Sequence, residues 1–354
     1  MENYTIGCDA HKRYSQFSVL DQRGKVCKRA RIEHNPGEIR KYLSQFPPGT
    51  PVALECVGNW YWIVDEIEAS GCLPHLANAY KAKVMMGHVN KTDKLDGDGL
   101  AILQYNGTLP TVWIPDGKVR DERELPRTRM AMTKYRTSVK NRIHATLSKH
   151  AIHIEEDSDI FSGKGLEALV QSLEDLPTES RRCVEEQLGL LKDIEGHIKK
   201  LEERIRQITE WTPTMGLIDS LPGVGDVLAI LIEREIGDVR RFPTAEHLAS
   251  YAGLTPKVHS SGGKTYYGPM RKESNQFLKW AFIEAANVIM RVRFHPNWRN
   301  RHVVRLYERM AGRKGHFIAV GAVARHLAEA AYWVLRKEEA YQEPNSKKDL
   351  PKQG

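Results

Sequence analysis

Asn90-Lys-Thr-Asp-Lys-Leu-Asp-Gly-Asp-Gly-Leu-Ala-Ile-Leu103 is the stretch around which the rest of the 354-residue chain is arranged. Read as the opening turns of a helix, it sets Asp93 and Asp96 at i and i+3 on one face. Leu95, Leu100, Ile102 and Leu103 are left for packing. Two carboxylates one turn apart repel, so something must compensate. The helix macrodipole favours a negative charge near its start, at Asp93. A hard cation held by oxygen ligands, Mg²⁺ or Mn²⁺, compensates more fully. The plainer alternative is an acidic first turn that only caps a helix. Asp98, a further acid in the same stretch, is expected to be solvated.

Upstream, residues 4 to 79 alternate strand and helix signals. Tyr4–Asp9 is a short apolar run ending on an acid, and Tyr14–Leu20 and Lys25–Ile32 flank the turn Asp21-Gln-Arg-Gly24. A helix from Asn35, a strand over Pro51–Val57, a helix over Trp60–Ser70 and a strand over Cys72–Ala77 follow. Strands alternating with helices predict an α/β domain, and the opening hairpin makes its sheet mixed. Acids now stand at the end of the first strand (Asp9), inside a buried-type strand (Glu55) and on a helix (Asp93, Asp96). A carboxylate within a strand is costly unless it is paired or ligates a metal. Four acids so placed match a two-metal site for in-line phosphoryl transfer.

Lys and Arg exceed Asp and Glu by eight, which favours a polyanionic partner, nucleic acid before membrane. No apolar run reaches the length of a membrane span, and no signal peptide is visible at the start. Five cysteines without CxxC spacing fit a reducing cytoplasm. From Leu125 the pattern turns helical and basic, with Arg129, Arg136 and Lys140 on one face of a long helix suited to phosphate contacts. Residues 152–180 are acidic and loop-prone, with Glu155–Asp159 expected at the surface. Cys183–Trp211 carries Leu188, Leu191, Ile194, Ile198, Leu201, Ile205 and Ile208 at coiled-coil-like spacing. That stripe fits a helical hairpin, a dimer seam or simple packing within one subunit.

Further on, Ser220-Leu-Pro-Gly-Val-Gly-Asp226 resembles a helix-hairpin-helix element, in which Gly223 and Gly225 let backbone N–H groups approach a DNA phosphate. Ser260-Ser-Gly-Gly263 reads as a flexible loop flanked by Lys257, Lys264, Arg271 and Lys272. A serine hydroxyl among such cations is suited to attack a phosphodiester. Amphipathic Phe277–Val292, arginine-rich Trp298–Met310 and an alanine-rich core helix over His316–Arg336 complete the chain.

Ile6-Gly-Cys-Asp9, Ala53-Leu-Glu55 and Asn90-Lys-Thr-Asp-Lys-Leu-Asp96 resemble the RuvC-like, RNase H-type nuclease fold. Joined with Leu221-Pro-Gly-Val-Gly225, Ala252-Gly-Leu-Thr-Pro256 and Ser261-Gly262, they resemble the DEDD-type insertion-sequence transposases, serine-dependent recombinases that use a bridge RNA. The resemblance spans Tyr4 to about Lys337. It implies a RuvC-like domain with a mixed sheet over 1–124, a basic helix and coiled coil over 125–212 and a mainly helical serine-loop domain over 213–340, while the Pro- and Lys-rich composition of 341–354 predicts a disordered tail. It also implies Mg²⁺ on Asp9, Glu55, Asp93 and Asp96, and covalent attachment of a DNA end to Ser261, directly before Gly262. Partners so implied are donor and target double-stranded DNA, a guide RNA and further copies of the chain. Two rivals stand beside this reading. One is a RuvC-like nuclease or resolvase using water as nucleophile; the other is a nucleic-acid-binding protein in which the acids are structural.

Overall fold

Strand β1 (Thr5–Ala10) turns back into β2 (Tyr14–Leu20), which turns back into β3 (Val26–Glu33). The structure, a computed structural model, describes residues 3–87, 93–154, 159–271 and 273–344, without the side chains of residues 93–95, 259 and 264. The chain divides into two compact units, residues 1–120 and 121–354.

In the first unit, helix α1 (Glu38–Leu43) leads to β4 (Pro51–Glu55), and α2 (Trp60–Ala69) leads to β5 (Leu73–Ala77). Both strands join the sheet in parallel, giving the order β3-β2-β1-β4-β5. This mixed sheet agrees with the RuvC-like expectation. Helix α3 (Ala79–Met86) follows, capped by the Asn78 side chain, which accepts from the Lys81 N–H at 3.0 Å. Then come α4 (Asp93–Tyr105) and α5 (Gly117–Glu122).

Alternation along the strands sorts side chains to two faces. Ile6, Cys8, Phe17, Val52 and Leu54 pack with Ile39, Leu43, Ile63 and Ile67 of α1 and α2. On the other face, Ala53 and Ala77 meet Leu100 and Leu103 of α4. The small residues on this face let α4 lie close. A Cβ at Gly7 would stand 2.1 Å from the Gly97 carbonyl oxygen and 2.6 Å from the Ala101 nitrogen, so the strand and helix backbones touch there.

In the second unit, α6 (Glu124–Lys149) carries the basic run, α7 spans Gly163–Ser172 and α8 spans Thr178–Ile208. Val139, Ile143 and Leu147 of α6 pack against Val184, Leu191, Ile194 and Ile198 of α8, with Leu169 of α7. Ile205 joins Met215, Val227 and Ile230. The α8 stripe is therefore used within the chain, as a helical hairpin. Residues 152–180 are not simply loop: Gly165 and Leu169 are buried on a helix, with Leu169 in the α6–α8 core, so α7 forms. The acidic residues 155–158 lie outside the described residues.

Helices α9 (Pro213–Asp219), α10 (Asp226–Ile236) and α11 (Ala245–Tyr251) precede a two-stranded ribbon, β6 (Pro256–Ser261) and β7 (Lys264–Met270). Helices α12 (Gln276–Val292), α13 (His302–Lys314) and α14 (His316–Lys337) complete the unit. Alanines at 281, 285, 286, 324, 328 and 331 bring α12 and α14 together in its core. By length and composition α14 is able to cross a membrane, but 61% of its apolar window is buried inside the chain, as a core helix requires. Buried Glu235 on α10 accepts from Arg127 of α6 at 2.7 and 3.0 Å and from Asn275, the α12 cap, at 2.8 Å.

The tail departs from expectation at its start. The Tyr341 N–H donates to Ser220 Oγ at 2.8 Å, and the Glu343 carboxylate accepts from the His302 N–H at 2.8 Å. Tyr341 also packs against the core, which outweighs the polar composition around it. The rest, 345–354, lies outside the described residues.

Candidate active site

Strands β1 and β4 run parallel, so their carboxyl ends open on one edge of the sheet, where α/β folds place ligands. Cys8 pairs with Leu54, and the next residues in each strand are Asp9 and Glu55. Neighbouring strands lie about 4.8 Å apart, so two carboxylates at adjacent ends face mutual repulsion. Asp96, on the first turns of α4, comes to the same place because Gly7 lets that helix press onto β1 and Gly97 lets it press onto β2. Asp9, Glu55 and Asp96 together line a cleft of about 400 Å³. Asp93 opens α4, and its side chain lies outside the described residues.

Side chains absent from the sequence reading also line this cleft: His11, Tyr80 and Lys83. His11 Nε2 lies 3.0 Å from Asp9 Oδ2, and its ring stacks on Tyr14 at 4.5 Å between centroids. The signal was present in strand alternation, since residues 9 and 11 are two apart at a strand end. Tyr80 and Lys83 share a face of α3 by their spacing of three.

The donors around the cleft are mostly carboxylate oxygens, the chemistry a hard divalent cation takes. Among the described residues, no three His, Cys, Asp or Glu side chains form a ready metal-holding group.

Asp98 corrects the expectation of a solvated acid. It forms a two-pronged pair with Arg29 on β3, at 2.6 and 3.1 Å, with its side chain only 14% exposed. Burial pushes its pKa up, but hydrogen bonds from Arg29 and Ser18 and the Arg29 charge together hold the carboxyl below the usual range. The pair ties α4 to the sheet on the side away from the strand ends.

The serines belong to the second unit and do not sit on a flexible loop. Ser260 pairs with Thr265 and Ser261 with Lys264 across a ribbon closed by Gly262 and Gly263. Both glycines have positive φ, +57° and +77°, as a tight two-residue hairpin turn requires. Ser260 Oγ lies 3.4 Å from Thr265 Oγ1, and both serines are exposed. Of the surrounding cations, Lys257 pairs with Glu273 at 3.8 Å and Arg271 is exposed. The Lys264 side chain and all of Lys272 lie outside the described residues.

The remaining candidate DNA contacts divide. Arg129 pairs with Glu202 at 2.7 Å and Lys140 with Asp159 at 3.0 Å, whereas Arg136 is half-buried on the same helix. Gly223 has a packing reason for its identity: with φ +75°, its Cβ position lies 2.3 Å from the Ala285 carbonyl oxygen of α12. That close approach is to the backbone of α12. Gly225 caps α10 and faces open space.

Comparison with known proteins adds independent information. A transposase family model, DEDD_Tnp_IS110, matches residues 6–152, which include all four candidate acids. The model described as "Transposase IS116/IS110/IS902 family" matches residues 215–303, which include the serine ribbon. The chain is 23% identical over 346 residues to a "Probable family 20 transposase" of Pseudomonas aeruginosa, covering 95% of this chain and 98% of the relative. It is 23% identical over 337 residues to the "Transposase for insertion sequence element IS1111A" of Coxiella burnetii, covering 95% and 90%. The "Insertion element IS110 uncharacterized 43.6 kDa protein" of Streptomyces coelicolor is 33% identical over 145 residues, 41% of this chain and 34% of the relative. With both units matched and whole-length relatives named as transposases, the chain belongs to the IS116/IS110/IS902 family of insertion-sequence transposases.

Proposed function

We propose that this transposase cuts and rejoins DNA strands with two sets of groups, the carboxylates of its first unit and the Ser261 hydroxyl of its second. The observation that carries the reading is the convergence of Asp9, Glu55 and Asp96 on one cleft at the strand ends. Asp9, Glu55, Asp93 and Asp96 would hold a divalent cation, Mg²⁺ or Mn²⁺. Bound there, the cation supplies positive charge to the phosphate oxygens as negative charge builds on them.

The chain's own residues do the rest. His11 holds the Asp9 carboxylate oriented through its 3.0 Å contact. Lys83, at the rim of the same cleft, attracts the DNA backbone. Ser261 Oγ forms a bond to phosphorus and the ester bond to one strand end breaks. The leaving oxygen gains a proton and the serine loses one, so the step is a balanced transesterification. Attack by a hydroxyl of a second strand end reverses it and joins the new strands. Ser261 is exposed near the tip of its ribbon, which leaves its hydroxyl open to a phosphate.

The family resemblance further supports assembly of several copies, with the acids of one copy serving the serine of another. It also supports a bridge RNA that chooses donor and target by base pairing, leaving the protein to grip the DNA backbone.

Recombination between donor and target DNA with the flanking RNA tests the reading in wild type, Asp96→Asn and Ser261→Ala. Both variants are expected to lose activity by at least ~10³-fold. Loss in Asp96→Asn alone, with cleavage and no protein–DNA adduct, identifies a nuclease with water as nucleophile. An adduct that survives Ser261→Ala but not Ser260→Ala moves the nucleophile one residue upstream.

A further inference from the structure

The connection between α13 and α14 is unusual. Arg313, Lys314, Gly315, His316, Phe317 and Ile318 are all exposed, although they introduce a core helix. Phe317 is 87% exposed and Ile318 53%. Nearby, Phe294, just past α12, is 75% exposed. Pairwise contacts link these groups in series from Phe294 to Phe317. The Arg293 guanidinium lies 4.1 Å from the Phe294 ring and 5.9 Å from that of Tyr307. Tyr307 Oη lies 2.8 Å from His316 Nδ1, and the His316 and Phe317 rings are 5.3 Å apart.

From this surface we infer a docking site for an unpaired DNA strand at the α12–α13–α14 corner, with bases stacked on Phe317 and Phe294 and phosphates held by Arg293, Arg313 and Lys314. Exposed phenylalanines set among cations offer ring faces to an occupant. Charge selects which. A second copy docking here about a two-fold axis would bring the same cations together, whereas a polyanion neutralises them. Duplex DNA keeps its base faces stacked inside, so only an unpaired strand offers rings for flat aromatic contact. DNA is the substrate that a transposase handles, and strand exchange must unpair it. This inference stands on different residues from the carboxylates and Ser261 and does not depend on their roles.

Binding of the full chain to fluorescein-labelled oligo(dT), oligo(rU) and a mixed-sequence duplex, followed by anisotropy, provides the test. Phe317→Ala is exposed enough to leave folding intact. It is expected to weaken oligo(dT) binding about tenfold, with duplex affinity changed less than about twofold. Arg313→Gln with Lys314→Gln is expected to flatten the salt dependence for oligo(dT) by about one unit of log–log slope. Unchanged oligo(dT) affinity in Phe317→Ala overturns the site. So does equal loss on duplex, or loss confined to oligo(rU), which would make RNA the occupant. Dissociation of an oligomer by Phe317→Ala with oligo(dT) binding intact would assign the surface to a second copy.

Discussion

Gly7 shows how much one residue controls at the acid cleft. Any side chain there meets the backbone of α4, at 2.1 Å from the Gly97 carbonyl oxygen, and neither backbone can yield cheaply. Gly7→Ala is therefore expected to cost about 2–3 kcal/mol, read as a lower urea midpoint, and to abolish recombination by displacing Asp96. Gly97→Ala is the milder change, because its nearest neighbour, Ser18 Oγ at 3.2 Å, is a small side chain. Equal destabilisation by both would remove the special status of the Gly7 contact. The acids themselves were readable from the chain because carboxylates at strand ends stand out against apolar neighbours. Gly7 was not, since nothing in Ile6-Gly-Cys-Asp9 says which helix crosses it. Asp98 failed for the same reason: its partner, Arg29, is 69 residues away in sequence.

At the scale of elements, alternation of strand and helix signals made the five-stranded sheet legible, and β2 follows its predicted bounds, Tyr14–Leu20. The serine ribbon was misread because Ser-Ser-Gly-Gly carries no apolar residue. Val258, Tyr266 and Tyr267 supply the β-forming flanks, and the paired glycines are the hairpin signal between them. Adjacent strand residues face opposite ways, so Ser260 and Ser261 present their hydroxyls to different sides of the ribbon. Helix α14 carries a separate sensitivity. His326 is half-buried in it, beside His302 at 4.8 Å between rings. Burial first, and then His302, holds its pKa down at about 4, against an ordinary 6.5. Between those values the unfolded chain binds a proton that the folded chain refuses. This contribution is intact above pH 6.5 and is lost as pH falls towards 4. It is expected to amount to ~3 kcal/mol at most, and His326→Leu should flatten the fall in melting temperature between about pH 7 and about pH 5. An unchanged pH profile in that variant would assign the acid sensitivity elsewhere.

Over the whole molecule, one family match covers most of the first unit and runs on to residue 152 of the second, and the other lies wholly in the second, so acids and serine fall under separate matches. The change of pattern near Leu125 suggested the first of several domain boundaries, whereas the chain divides into two units after residue 120; the docking of the C-terminal segment was not legible, because its hold depends on two backbone N–H groups. The Glu343 carboxylate receives the first N–H of α13, and the Tyr341 N–H reaches the Ser220 hydroxyl at the end of α9. A stop codon after residue 340 would leave every candidate catalytic residue encoded, yet remove this clasp between the last helices and the turn before α10. Thermal unfolding of that truncation is expected to begin several degrees lower than in the full chain. An element copy eroded only at its 3′ end would thus look intact by its motifs while its product failed for want of a few hydrogen bonds.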